Sequence, residues 1–154
     1  MQLNIERGIP VKLVLQWKPV RIGPSSYGQL TANYNPSLSN GLCISENLAK
    51  LSFLRKDERG EISLGLMPEH IQSIQEQYKD FQQREHALPG SIEIVASEES
   101  DFGSSIMVFR FLANALFNIC QSLEAQEVEL SENWLTGIAS AAVTNVREQY
   151  PNQF

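Results

Sequence analysis

The densest chemistry in this chain is a run of acids and hydroxyls, Glu98-Glu99-Ser100-Asp101, followed by Gly103-Ser104-Ser105. Glu98, Glu99 and Asp101 offer hard oxygen ligands of the kind a divalent cation takes. The glycine and serines precede an apolar run, where a helix start would present backbone N–H groups to a phosphate. The two uses oppose each other, because the carboxylates repel an anion. Capping is the simpler role: Asp101 or Ser104 as the cap, with the acids at the positive end of the helix that follows.

The remaining candidates are sparse. His70 follows Glu69, and a Glu–His pair can do acid/base work, but their position near a helix start points to a solvated face. His86 falls in a polar helix end. Asp101-Phe102-Gly103 spells a protein-kinase tripeptide without any other kinase element, in a chain of 154 residues, too short for one. No serine or cysteine has a nucleophile elbow around it. Cys43 and Cys120 lie far apart in apolar surroundings and read as two buried free thiols. Two cysteines and two histidines without ligand spacing give no metal site, and nothing calls for a cofactor. The expectation is a protein that is not an enzyme.

The elements that would position these residues follow from periodicity. Leu3 and Ile5 alternate with polar residues, and Val11, Leu13, Leu15 and Trp17 share one face of a second strand. Gln29–Tyr34 is a third strand inside a segment rich in turn residues, 23–41. Lys50–Lys56 and Glu61–Leu66 form a hairpin around Asp57-Glu58-Arg59-Gly60, with Leu51, Phe53, Ile62, Leu64 and Leu66 on its core face. Pro68 starts a helix reaching Ala87, whose seam is Met67, Ile71, Ile74, Tyr78, Phe81 and Leu88. Ser91–Ala96 is a strand, Ser97–Ser105 a turn and Ile106–Leu123 a helix. Ser131 caps a last helix with its stripe on Leu135, Ile138, Ala139, Ala142 and Val146. The pattern is α+β in one domain: an antiparallel sheet, made of an N-terminal hairpin and a meander, covered on one face by helices, two of them C-terminal.

The helix Ile106–Leu123 is apolar almost all round, and its polar residues Arg110, Asn114 and Asn118 form one narrow stripe. Such a helix needs a surrounding core or a second subunit. The stripe either reaches water or crosses a subunit interface, and Phe109 and Phe117 are the large residues that a partner would cover. The same stripe interrupts the one run approaching membrane-spanning length. With no secretory pattern at Met1–Gly8, the chain is expected to be soluble and cytosolic.

The net charge of −6 is divided unevenly: residues 1–60 carry +4 and residues 61–154 carry −10. An asymmetry of this kind hints at an anionic partner for the basic half. If Lys12, Lys18, Lys50 and Lys56 point away from the core, they line one face of an open sheet and could neutralise phosphates. An ordinary solvated face is the alternative.

In the order of its elements the chain resembles the coat proteins of small single-stranded RNA bacteriophages. The local similarity lies in Ser91–Phe117, where Ile92-Glu93-Ile94-Val95-Ala96-Ser97-Glu98-Glu99-Ser100-Asp101 runs directly into a helix, and in the tail Tyr150-Pro151-Asn152. The resemblance implies a homodimer whose helices reach across the partner's sheet, further assembly into a virion shell, and RNA on the inner sheet face, here Lys12, Lys18, Lys50 and Lys56. The subunit interface would be Phe109, Arg110, Asn114, Phe117 and Asn118. The helix after Pro68 and the acidic net charge depart from that family. The alternative is a cytosolic protein–protein interaction module or small chaperone-like oligomer that docks through the Met67–Leu88 seam and has no RNA role.

Overall fold

The computed structural model describes residues 1–18, 26–84, 88, 90–101, 103–124 and 131–153. His86, the helix end at Ala87 and part of the turn-rich segment before Gly28 lie outside these residues. The described chain is an α+β fold built on one seven-stranded sheet. Strands β1 (Gln2–Glu6), β2 (Val11–Trp17) and β3 (Gly28–Asn35) form an antiparallel meander. The long strand β7 (Ser91–Ser100) then lies beside β3, followed in space by β6 (Gly60–Leu64) and the edge strand β5 (Ser52–Asp57). A short strand, β4 (Gly41–Ile44), pairs parallel with the first half of β7 and is the exception to an antiparallel sheet.

Alternation decides the two faces. Leu3, Leu15, Leu30 and Ser97 stand opposite one another across four strands, as do Ile5, Leu13, Ala32 and Ile94. These rows face the helices, and Leu13, Leu15, Leu30, Ala32 and Ile94 are fully buried. The other face carries the rows Gln2, Gln16, Gln29, Glu98 and Glu6, Lys12, Asn33, Glu93. Such a half-covered antiparallel sheet is what period-two alternation specifies.

β7 runs four residues further than Ser91–Ala96, and the polar turn is correspondingly shorter. The polar residues are strand-compatible because each finds a partner. The Ser97 hydroxyl donates to the Gln29 carbonyl (2.8 Å) and the Ser100 hydroxyl to the Arg59 carbonyl (2.6 Å). β6 pairs with this polar end, Ile62 opposite Ser100 and Leu64 opposite Glu98. Buried hydroxyls are tolerated when so satisfied.

The helices are α1 (Pro68–Arg84), α2 (Ile106–Glu124) and α3 (Glu132–Gln149). Ser131 caps α3 by accepting from the Trp134 N–H (3.1 Å). The cap of α2 is Ser105, whose hydroxyl accepts from the Val108 N–H (3.2 Å), rather than Asp101 or Ser104. Ser104 instead donates to the Tyr27 carbonyl (2.6 Å), and Asp101 accepts from the Glu61 N–H (2.8 Å). Both residues thus tie neighbouring segments together instead of capping α2. α2 sits directly on the sheet: a Cβ on Gly28 would lie 2.9 Å from Val108 and 3.0 Å from Leu112.

By length and composition alone α2 could cross a membrane, yet the chain encloses it. The sheet covers one side, α1 and α3 the others. Phe109 and Phe117 are fully buried, and Phe117 lies against Tyr78 (5.4 Å between ring centroids) and Phe81 (5.7 Å) of α1. Arg110 and Asn114 of the stripe are buried within the chain, and Asn118 is half-buried. Arg110 stacks over the Tyr150 ring at 3.7 Å and reaches Glu76 at 3.5 Å. Asn114 accepts from Asn118 (3.0 Å) and Asn145 (3.2 Å) and donates to Gln77 (3.4 Å). Gln77 in turn donates to Gln149 (2.6 Å). The stripe is a polar seam that joins all three helices. Of the residues expected at a subunit interface, Phe109, Arg110, Asn114 and Phe117 are covered by the chain itself.

The seam expected on α1 holds at Ile74, Phe81 and Leu88, which are buried, and at Ile71 and Tyr78, which pack half-buried on the core, but it is wider than expected. His70, Ser73, Ile74, Gln77 and Phe81 are its buried residues, while Met67 is exposed. Polar residues count against burial in a periodicity reading, but here a buried acid and the polar seam on α2 provide their partners.

Candidate assembly edge and adjoining cleft

The hairpin β5–β6 turns through Glu58-Arg59, and Gly60 adopts the positive φ (91°) that the turn demands. Asp57 accepts from the Arg59 N–H (2.8 Å). That hydrogen bond first, and then the Arg59 and Arg55 guanidiniums, hold the Asp57 carboxyl below its usual range. Ile62 and Leu66 are buried as expected. Leu51 and Phe53 are not: they are 47% and 65% exposed, as are Leu54 and Met67 to a lesser degree, and Leu64 is exposed on the opposite face. Phe53 does lie on the helix-facing side, opposite Ser63, but β5 packs chiefly on β6, and among the described residues no helix packs closely on it. Alternation assigns a face, not what covers it.

β5 is also one of the edge strands of the sheet, β1 being the strand at the other end, and it has an irregularity between Phe53 and Arg55. The irregularity resets the alternation. Arg55 stands opposite Ile62 on the open face, and Lys56 turns to the other face, opposite Glu61. On the open face, Arg55 donates to Glu98 (2.9 Å) and to the Tyr27 hydroxyl (3.3 Å). Tyr27 donates to Glu98 (2.9 Å), and Gln29 completes the carboxylate's shell (2.9 Å). Burial pushes the Tyr27 phenol above its ordinary pKa. This network fixes the hairpin to β3 and β7.

The four lysines do not share a face. Lys12 lies on the open face, between Glu6 and Asn33. Lys56 is on the other side of the sheet. Lys50 stands outside the strands, at the end of a one-turn helix, Glu46–Ala49, and Lys18 is an exposed residue just past β2. Glu6, Glu93 and Glu98 share the open face with Lys12 and Arg55, so that face is mixed in charge rather than basic. The hairpin bulge and the acidic strand β7 at the sheet's centre are the physical reasons. Cys43 is exposed opposite Glu93, unlike the buried Cys120.

Beside the hairpin, a cleft of about 590 Å³ opens between β6, the end of β7 and the starts of α1 and α2. His70 and Glu99 form its base, with the His70 Nδ1 2.5 Å from a Glu99 oxygen. The same oxygen accepts the Met67 N–H (2.7 Å), and the imidazole stacks on Phe109 (4.6 Å between centroids). His70 pairs with Glu99 rather than with its neighbour Glu69, which is 4.0 Å from Nε2. No sequence signal joins residues 29 positions apart in this way. Glu98, Glu99 and Asp101 point to three different environments, and among the described residues no group of three metal-ligating side chains assembles.

No family model matches the chain, and no curated protein or solved structure does so either.

Proposed function

We propose that the chain is a non-enzymatic assembly protein that pairs with a second copy of itself through the β5 edge. The observation carrying this reading is the exposed apolar side chains at the edge strand, Phe53 and Leu54 on β5 with Leu51 just before it. An apolar cluster at a free strand is the pattern of an interaction site, since isolated soluble proteins protect such edges. The sequence of the edge favours its own copy. The strand carries both signs of charge, Arg55 and Lys56 beside Asp57, which a second copy running antiparallel can match. Opposite-charge cross-strand pairs each contribute about 0.2–1 kcal/mol, and burial of Phe53 and Leu54 contributes more.

The reading retains self-assembly from the coat-like expectation and replaces the C-terminal helices with the hairpin as the contact. The scattered lysines lend no support to RNA binding on the open sheet, so the proposal is confined to assembly.

Replacement of Phe53 by aspartate tests it. Phe53→Asp is expected to convert a dimer into a monomer by light scattering. Its effect on the stability of the fold should stay within about 0.5 kcal/mol, as for other surface sites. A wild-type monomer at high protein concentration, or a dimer unaffected by Phe53→Asp, would refute the reading.

A further inference from the structure

We infer that Asn40-Gly41, at the entrance to β4, is a self-modifying site: the asparagine closes to a cyclic imide, reopens as isoaspartate or aspartate, and so loosens the start of the strand. The inference is independent of assembly through β5.

The chain contains a single Asn-Gly pair. An asparagine reacts in this way when the backbone nitrogen of the next residue can reach its side-chain carbonyl carbon, and a following glycine removes the Cβ that would obstruct the approach. The fold does not otherwise need glycine at this position. Gly60 and Gly65 have positive φ, and a Cβ on Gly28 or Gly90 would stand 2.9 Å or 2.5 Å from a neighbour. Gly41 shares neither constraint, since nothing lies within 4 Å of the place a Cβ would take. The same open space admits the imide ring.

The reacting atoms are accessible. Residues 36–40 are exposed, and the Asn40 side chain has no hydrogen-bond partner among the described residues. Gly41 opens β4 opposite Ser91, so its nitrogen stands at the end of the ladder, where pairs open at little cost. Other asparagines are held away from reaction. Asn114, Asn118 and Asn145 lie inside α2 and α3, and Asn4 and Asn33 inside β1 and β3. Asn35 precedes Pro36, whose nitrogen carries no hydrogen to give up.

Water is the only co-reactant. The Gly41 nitrogen attacks the Asn40 Cγ and loses its proton, and the carbon expels the side-chain nitrogen as ammonia to leave the imide. Water then opens either imide carbonyl. Opening at the main-chain carbonyl leaves Gly41 attached through the side chain, as isoaspartate; opening at the side-chain carbonyl leaves aspartate. Both products add a negative charge at neutral pH. Isoaspartate also lengthens the main chain by a methylene just before the Gly41–Ser91 pair, which displaces the start of β4 against β7.

The test is incubation of the intact protein in mildly alkaline buffer made with heavy-oxygen water, followed by peptide mapping with mass spectrometry. The peptide holding Asn40 is expected to take up heavy oxygen, to accept methyl groups from an isoaspartyl methyltransferase, and to contain more isoaspartate than aspartate. Gly41→Ala, which the open space accommodates, should slow the reaction about tenfold, the effect of a small rise in its barrier, with the thermal midpoint unchanged. In the modified protein the amides of β4 should exchange faster with solvent, while those joining β3 to β7 stay protected. Reaction spread over the other asparagines, aspartate without isoaspartate, a rate indifferent to Gly41→Ala, or β4 exchange unaltered by the modification would overturn the inference. So would an unmodified protein under conditions where a Leu-Ser-Asn-Gly-Leu peptide reacts. The Phe53→Asp monomer should react as fast as the wild type, so failure here and failure of the assembly reading are distinguishable.

Discussion

Phe117→Ala is expected to lower the unfolding free energy by about 3–5 kcal/mol, the usual cost of deleting a fully buried aromatic ring. The ring is 0% exposed and lies between Tyr78 and Phe81, so its removal leaves a cavity where α1 crosses α2. In a domain of this size that corresponds to a fall in Tm of roughly 10 °C. The variant also separates two roles for the residue. As a core residue of one chain, Phe117 affects stability and leaves the association constant of folded protein alone. As an interface residue, it would do the reverse. Urea denaturation of dilute protein measures the first. A loss under about 1 kcal/mol with assembly abolished would return Phe117 to a subunit contact.

Asn114→Leu is the second large effect, and hydrophobicity alone would predict the opposite sign. Leucine is similar in size and would fit an apolar core. Here it would strand the side chains of Gln77 and Asn145, which reach Asn114 from α1 and α3, and leave Gln77 buried with one partner fewer. Each stranded group costs about 1–3 kcal/mol, for an expected loss of about 2–4 kcal/mol. The same denaturation measurement checks it. Unchanged or increased stability would mean that the polar seam does not hold the helices together.

These two residues show what the sequence reveals and where it stops. The apolar girdle of α2 marks it as an enclosed helix, and spacing alone identifies Arg110, Asn114 and Asn118 as one stripe. What encloses them depends on α1 and α3 both reaching the stripe, and no local pattern encodes that. Strand alternation correctly pairs Leu13 with Leu15 and separates them from Lys12. It fails at Lys56, because an irregularity of one residue in β5 reverses every side chain after it. β4 is too short, at four residues, to show a period, and it is held by pairing with a strand 50 residues away. Ser131 is legible as a cap because capping is local. The His70–Glu99 pair is not, since it joins the first turn of a helix to the end of a distant strand. The most consequential difference is at Leu51 and Phe53: their spacing marks a buried face correctly, but the chain provides no cover for it.

That uncovered face carries the central claim, and amide hydrogen exchange across a dilution series tests it most directly. The account predicts that the outward-pointing amides of β5, within residues 52–57, are slow to exchange at high protein concentration. They should become fast as the dimer dissociates, while the amides of β3 and β7 stay protected throughout. Concentration-dependent protection on β1 or α3, with β5 exchanging freely at every concentration, would contradict it.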